Sequence, residues 1–230
     1  MVEDRNAHPD AAASPGVAPT ARAKVRRLPE RGRYERSTIN SILDEGFVCH
    51  VGYVGDGAPV VIPTAYARIG ELLYLHGAPA NATLHQASSG VPVCVTVTLV
   101  DGLVMARSAF HHSINYRSVV VHGTGTEVTD LEEKRNALAA VVEHIVPGRG
   151  VDARPPTTSE LRSTRVVRVP LGEASAKVRT GGPKDDPEDL ALPVWAGQVP
   201  LRMVPGAPIV DSGHPTSVPT PGYLVDYARP

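Results

Sequence analysis

Phe47-Val-Cys-His-Val-Gly-Tyr-Val54 decides the fold of this chain. Phe47, Cys49, Val51 and Tyr53 share one side of a period-two pattern, and Val48, His50, Gly52 and Val54 share the other, the mark of a strand. Asp56-Gly57 follows as a hairpin turn, and residues 60–67 return as a second strand. Pro63 has no N–H to give a ladder, so that strand is bulged or at an edge there. A turn at Ile69-Gly70 leads into residues 71–76, and Asn81 caps a short helix that ends near Gly90. Residues 93–100 form the next strand, which Asp101-Gly102 turns back as residues 103–107. Residues 118–128 and 165–171 supply the last strands.

Two more helices interrupt this series. One is capped by Ser37, carries Ile39, Ile42 and Leu43 on one face and stops at Gly46. The other opens at Asp130 with Glu133 three residues on, a capping-box spacing. Its buried stripe is Leu131, Leu138, Val141, Val142 and Ile145, and Pro147-Gly148 ends it. Many short strands joined by tight turns predict a mainly β, closed or nearly closed antiparallel barrel with a few flanking helices.

Residues 1–30 hold few large apolar side chains in 230 residues and are expected to be a disordered tail. Residues 31–182 form the barrel domain. Residues 183–230 read as a Pro-rich arm with apolar anchors Leu192, Val194, Trp195, Leu201 and Val204, laid over the barrel or over a partner subunit. The formal net charge of −1 gives no broad drive toward nucleic acid or anionic membrane. Nothing at the N-terminus reads as a signal peptide and no apolar run is long enough to span a bilayer, so a cytoplasmic protein is expected. Cys49 and Cys94 sit in strand-like runs and read as small buried hydrophobes.

Nucleotide-loop, zinc-protease and nucleophile-elbow signatures are absent, no residue set reads as a metal centre, and Gly123-Thr-Gly125 lacks the strand-to-helix turn of a dinucleotide site. His111-His112 suits surface or partner contact. His76, which ends an apolar strand just before Gly77, is placed to hydrogen-bond a planar cofactor or to carry a proton. Ser175-Ala-Lys177-Val-Arg179-Thr-Gly-Gly182 alternates cations, hydroxyls and exposed N–H groups in a way that suits an anion. Tyr66, Tyr74 and Tyr116 are candidates to border a cleft.

Five segments in order, Arg26-Arg-Leu-Pro-Glu-Arg-Gly-Arg-Tyr34, Leu73-Tyr-Leu-His-Gly77, Val93-Cys-Val-Thr-Val97, Asp101-Gly-Leu-Val-Met-Ala-Arg-Ser108 and Asn115-Tyr-Arg-Ser-Val-Val-Val121, resemble the pyridoxamine 5'-phosphate oxidase-like family of FMN-binding split barrels. The flavin-nucleotide-binding branch, with its nitroimidazole-resistance relatives, is the most similar. The resemblance runs from about Arg26 to about Pro205. It implies an antiparallel Greek-key split β-barrel, a homodimer with FMN in clefts between subunits, and oxidoreductase chemistry on a small organic substrate. By position it implies cofactor contacts at Ile62, Pro63, Thr64, Leu75, His76, Gly77, Asn81, Tyr116, Arg117, Ser118 and Lys177, with His76 and Arg117 as the catalytic pair. The turn after His76 departs from the branch pattern Gly-Ser-x-x-Ser-Arg. It reads Gly77-Ala-Pro-Ala-Asn81-Ala82, without the hydroxyls and the arginine that meet a phosphate. Two alternatives stay open: a haem enzyme of the same fold, with His76, His50 or His112 as axial ligand, or a non-catalytic small-molecule-binding dimer.

Overall fold

The computed structural model describes residues 18–227. Its strands are β1 (Gly32–Arg33), β2 (Val48–Gly55), β3 (Ala58–Ile69), β4 (Leu72–Gly77), β5 (Pro92–Met105), β6 (Ser113–Thr124), β7 (Thr126–Glu127), β8 (Arg165–Pro170), β9 (Glu173–Arg179) and β10 (Gly197–Pro200). Its α-helices are α1 (Arg36–Glu45), α2 (Ala82–Ser88), α3 (Leu131–Ile145), α4 (Arg149–Asp152), α5 (Thr158–Arg162) and α6 (Gly222–Val225).

The strands follow the order β1-β9-β6-β5-β2-β3-β4-β8-β7, with β10 added along β5. Every pairing is antiparallel. Strands β8 and β9 lie near opposite ends of this path, yet only Leu171-Gly172 separates them in the chain, so the sheet must curl until its ends approach. A Cβ on Gly123 of β6 would sit 3.2 Å from Val169 of β8, which records that approach. The result is the antiparallel split barrel expected from the sequence. Its interior is filled by Leu43, Cys49, Val51, Tyr66, Leu73, Leu75, Val95, Val97, Val119, Val121, Val167 and Val169, all in one buried cluster. A smaller cluster, Tyr74, Val128, Ala137 and Val166, packs on the outer side of β4 and β8 beneath α3.

The hairpin at Asp56-Gly57 is present, with both residues at positive φ (50° and 78°), as a tight two-residue turn requires. Asp101-Gly102, by contrast, is no turn. β5 runs unbroken from Pro92 to Met105 and carries a bulge there. An extra residue in one strand satisfies the same Asp-Gly signal without reversing the chain, and Gly102 is needed because a Cβ would meet the Val199 carbonyl oxygen at 2.9 Å.

Further differences are local. The tight turn before β4 is centred on Gly70 (φ 57°) and Glu71, one residue later than read from the sequence. Helix α1 starts two residues earlier, with Glu35 at its N-cap rather than Ser37. In α3 the buried residues are Lys134, Ala137 and Val141, whereas Val142 is exposed. Lys134 is tolerated because its ammonium donates to the Thr164 carbonyl at 2.8 Å, closing the end of α5. Asp130 caps α3 as expected, but Glu133 turns away to Tyr74 and Arg168 instead of completing the capping box. The strand at 165–171 is not the last, since β9 and β10 follow it.

Residues 1–17 of the expected tail lie outside the described residues. The described part of that segment lies along β9, where Arg22 pairs with Glu173 and Lys177 donates to the Arg27 carbonyl at 3.0 Å. Among the described residues no helix is long and apolar enough to cross a membrane.

Candidate functional site

Strand β3 changes partner halfway along its length. Ala58 to Ala65 pair with β2, and Tyr66 to Ile69 pair with β4. From Ala65 back toward Ala58 its second edge is therefore unpaired among the described strands, and so is the corresponding edge of β4 at His76 and Gly77, which pair only with β8. The two free edges diverge from the last shared pair, Tyr66 and Leu75. Backbone groups along such edges need partners when a flat ligand or another chain covers them. The structure thus brings Ile62, Pro63 and Thr64 onto one lip of a split, and His76 and Gly77 onto the other.

Pro63 lies where only one edge of β3 is paired, so its missing N–H costs the sheet nothing on the open side. Ile62 is 41% exposed. Leu75 lies wholly in the core and is still paired with Tyr66, so the open edge begins just beyond it. His76 is half-buried, and its Nδ1 is a buried polar atom without a hydrogen-bond partner among the described residues. Burial also holds its imidazole below the usual histidine range, so the neutral ring, with one lone pair to offer, is favoured. An unsatisfied buried ring nitrogen beside an open strand edge fits a group that brings its own hydrogen-bonding atom or metal. That is the chemistry a flavin ring or a haem iron would supply.

Other expected residues are engaged within the chain. Asn81 accepts from Leu84 N–H at 3.1 Å, so its side-chain oxygen caps α2. Arg117 is gripped by two carboxylates: its Nη2 reaches Glu45 and Asp101 at 2.7 Å each, and its Nη1 bonds Glu45 again. Those carboxylates push its pKa further above the usual arginine range, so the charge is permanent but balanced. The bulge in β5 is what aims Asp101 at it. Ser118 opposes Lys177 across β6 and β9, and Tyr116 opposes Arg179. Tyr66 and Tyr74 are buried; Tyr66 donates to the Leu43 carbonyl at 2.6 Å and borders no cleft.

Two features were not read from the sequence. Arg165 stands directly opposite Gly77 in the β4–β8 ladder. Its buried Nε lies 3.4 Å from Glu127, an ion-pair distance too loose to count as a hydrogen bond. Its other contact is His85 of α2, also at 3.4 Å. A strand-initial arginine carries no sequence signal for this; only the register places it beside the turn that lacks the expected arginine. The second is a hydrogen-bonded row that runs from the interior to the surface: buried Arg179 donates to buried Asn115 and to the Gly181 carbonyl (3.1 Å), and Asn115 donates to exposed Gln198 of β10 at 2.6 Å. This row ties β9, β6 and the C-terminal arm together.

Residues 35–178 match the family model described as pyridoxamine 5'-phosphate oxidase. Among solved structures, the flavocytochrome Anf3 from Azotobacter vinelandii is 37% identical, with a TM-score of 0.87 over 93% of this chain and 99% of that one. An FAD- and haem-binding protein from Mycobacterium smegmatis is 34% identical, with a TM-score of 0.80 over 84% of this chain and 94% of its own. No curated protein sequence matches the chain. With the split between β3 and β4, the strand order and a match that spans both, the chain belongs to the pyridoxamine 5'-phosphate oxidase family.

Proposed function

We propose that the protein is a flavin-dependent oxidoreductase acting on a small organic substrate, with the flavin ring seated along the split between β3 and β4. The observation that carries this reading is the buried, partnerless Nδ1 of His76 at the head of the open edge. A bound flavin would supply hydride or electron transfer. The chain's own contribution is to hold and orient the ring: backbone of Ile62, Pro63 and Thr64 on one lip, and of Leu75, His76 and Gly77 on the other. His76, neutral through burial, would accept a hydrogen bond or pass a proton at its ring nitrogen. Tyr116, Ser118 and Lys177 would close the site from the facing copy of a homodimer. Arg117, balanced by Glu45 and Asp101, holds α1 against the β5–β6 pair rather than supplying free charge. Arg165, which stands opposite Gly77, would offer a cation beside the turn at 78–82, where a phosphate would need one.

A second reading adds haem to the flavin. It is favoured by the likeness to the flavocytochrome Anf3 and to the FAD- and haem-binding protein, and by a neutral histidine with an unclaimed nitrogen, histidine being the usual protein ligand for haem iron. The free thiols Cys49 and Cys94 suit a reducing, cytoplasmic setting.

The experiment offers purified apoprotein FMN, FAD, riboflavin and haemin in turn. A shifted flavin absorption band and quenched flavin fluorescence at micromolar ligand support the first reading. A Soret band lost in His76→Ala supports the second. No spectral change and no thermal stabilisation with any of them would overturn both.

A further inference from the structure

The C-terminal arm is fixed at both ends but not in the middle. At its start β10 pairs with the far end of β5, and Leu201 N–H donates to the Asp101 carbonyl at 3.0 Å. At its end Tyr223 donates to Asp152 at 2.6 Å, and Tyr227 donates to the Ile145 carbonyl at 2.7 Å. Between them, over residues 202–220, the hydrogen bonds among described residues are all local, within residues 211–218. Yet this stretch presents Met203 at 84%, Val204 at 77% and Ile209 at 97% exposure. These large apolar side chains are uncovered by their own barrel.

A matching surface lies on the same chain. Val199 of β10 opposes Leu103 of β5, which opposes Ile114 of β6, and all three are about two-fifths exposed (41%, 40% and 42%). Directly opposed residues point to one face, so these three form an apolar row across three strands. Val100, Val61 and Val48 are exposed on the same sheet. A standard dimer interface takes about 800 Å² from each partner, an area that an apolar strap laid on such a row can supply.

We propose that residues 202–220 form a strap that crosses onto a second copy of this chain, seating Met203, Val204 and Ile209 on its exposed sheet face. The segment carries Arg202 and Asp211 as its only full charges, so apolar burial rather than charge must recruit its partner. Segment and face are both present on every copy, so a two-fold exchange closes without leaving either uncovered. The strap deepens the two-copy reading above by naming the element that joins the copies.

The test uses the full chain without added cofactor, so a failure of flavin binding does not bear on it. Trypsin cleavage after Arg202 is followed across protein concentration, beside sedimentation. We expect cleavage to slow as the dimer forms and to quicken at least tenfold on dilution to monomer. Ile209→Asp should weaken dimerisation at least tenfold while leaving the thermal transition of the diluted monomer unchanged. Cleavage that is equally fast at every concentration, or equally slow at every concentration, would overturn the strap. So would a dimer that Ile209→Asp leaves intact.

Discussion

Tyr66 and Leu75 are the last opposed residues through which β3 and β4 remain one sheet. Both side chains are buried in the barrel core, Tyr66 tied to the carbonyl of Leu43. The split therefore opens from a rigid corner, and the residues beyond it, Ala65 on one strand and His76 on the other, diverge from fixed positions. Preorganised lips of this kind let a ligand bind without ordering the backbone first.

The histidine on that lip gives a pH prediction in the apoprotein. Its folded pKa is lowered by burial, so the unfolded chain takes up a proton at a higher pH than the folded one. The stability that His76 contributes is complete above about pH 6.5, the unfolded value, and is lost as pH falls through the folded value. Urea midpoints should drop between pH 7 and pH 5 in the parent, and His76→Phe should flatten that slope. A variant with the parent's slope would refute the assignment.

Cys49 works in the opposite direction. Burial pushes its thiol up to about 12. Stability is then complete below the unfolded thiol range and falls as pH rises from about 9 toward the folded value. A thiol reagent at pH 8 should leave Cys49 untouched in the native protein and modify it after unfolding. Mass mapping of the labelled cysteine decides this.

Arg117→Ala should lower stability by roughly 2–4 kcal/mol, because it leaves Glu45 and Asp101 facing one another without their shared counter-charge. Arg117→Lys should recover only a minor part, since an ammonium cannot meet two carboxylates with parallel N–H pairs. Chemical denaturation of the three proteins reads the effect.

Arg165→Gln bears on the proposed phosphate end. A hydrogen bond to a charged group contributes about 1.5–3 kcal/mol, so FMN affinity should fall about tenfold to a hundredfold. Riboflavin, which has no phosphate, should bind the variant as it binds the parent. Equal losses for both ligands would remove Arg165 from the site.

Gly125→Ala should cost about 1–3 kcal/mol. Its Cβ would stand 2.5 Å from the Ala87 carbonyl oxygen and 2.7 Å from Val167, and the first of these is backbone that cannot step aside. Thermal unfolding of the variant measures it.

The strands and the open edge were legible because they rest on local pattern. The alternation around Cys49 fixes one face of β2, and Pro63 marks where β3 lacks a neighbour. Asp101-Gly102 was misread because the same dipeptide serves a hairpin and a bulge, and only the partners Asn115 and Tyr116 on β6 distinguish them. Glu133 left its expected cap for Tyr74 and Arg168, which are far away in sequence. Arg165 stayed hidden for the same reason: its place beside Gly77 is a property of strand register, which no window of neighbouring residues contains.

Pro59 and Pro63 punctuate the stretch of β3 whose second edge is open. Neither can donate to an incoming strand, and they stand four residues apart on a strand that pairs on one side only. A stray β-segment laid along this edge would find its hydrogen-bond ladder interrupted at two rungs. An edge interrupted in this way is a poor template for edge-to-edge association, so the fold can leave this stretch of β3 unpaired at little risk of aggregation.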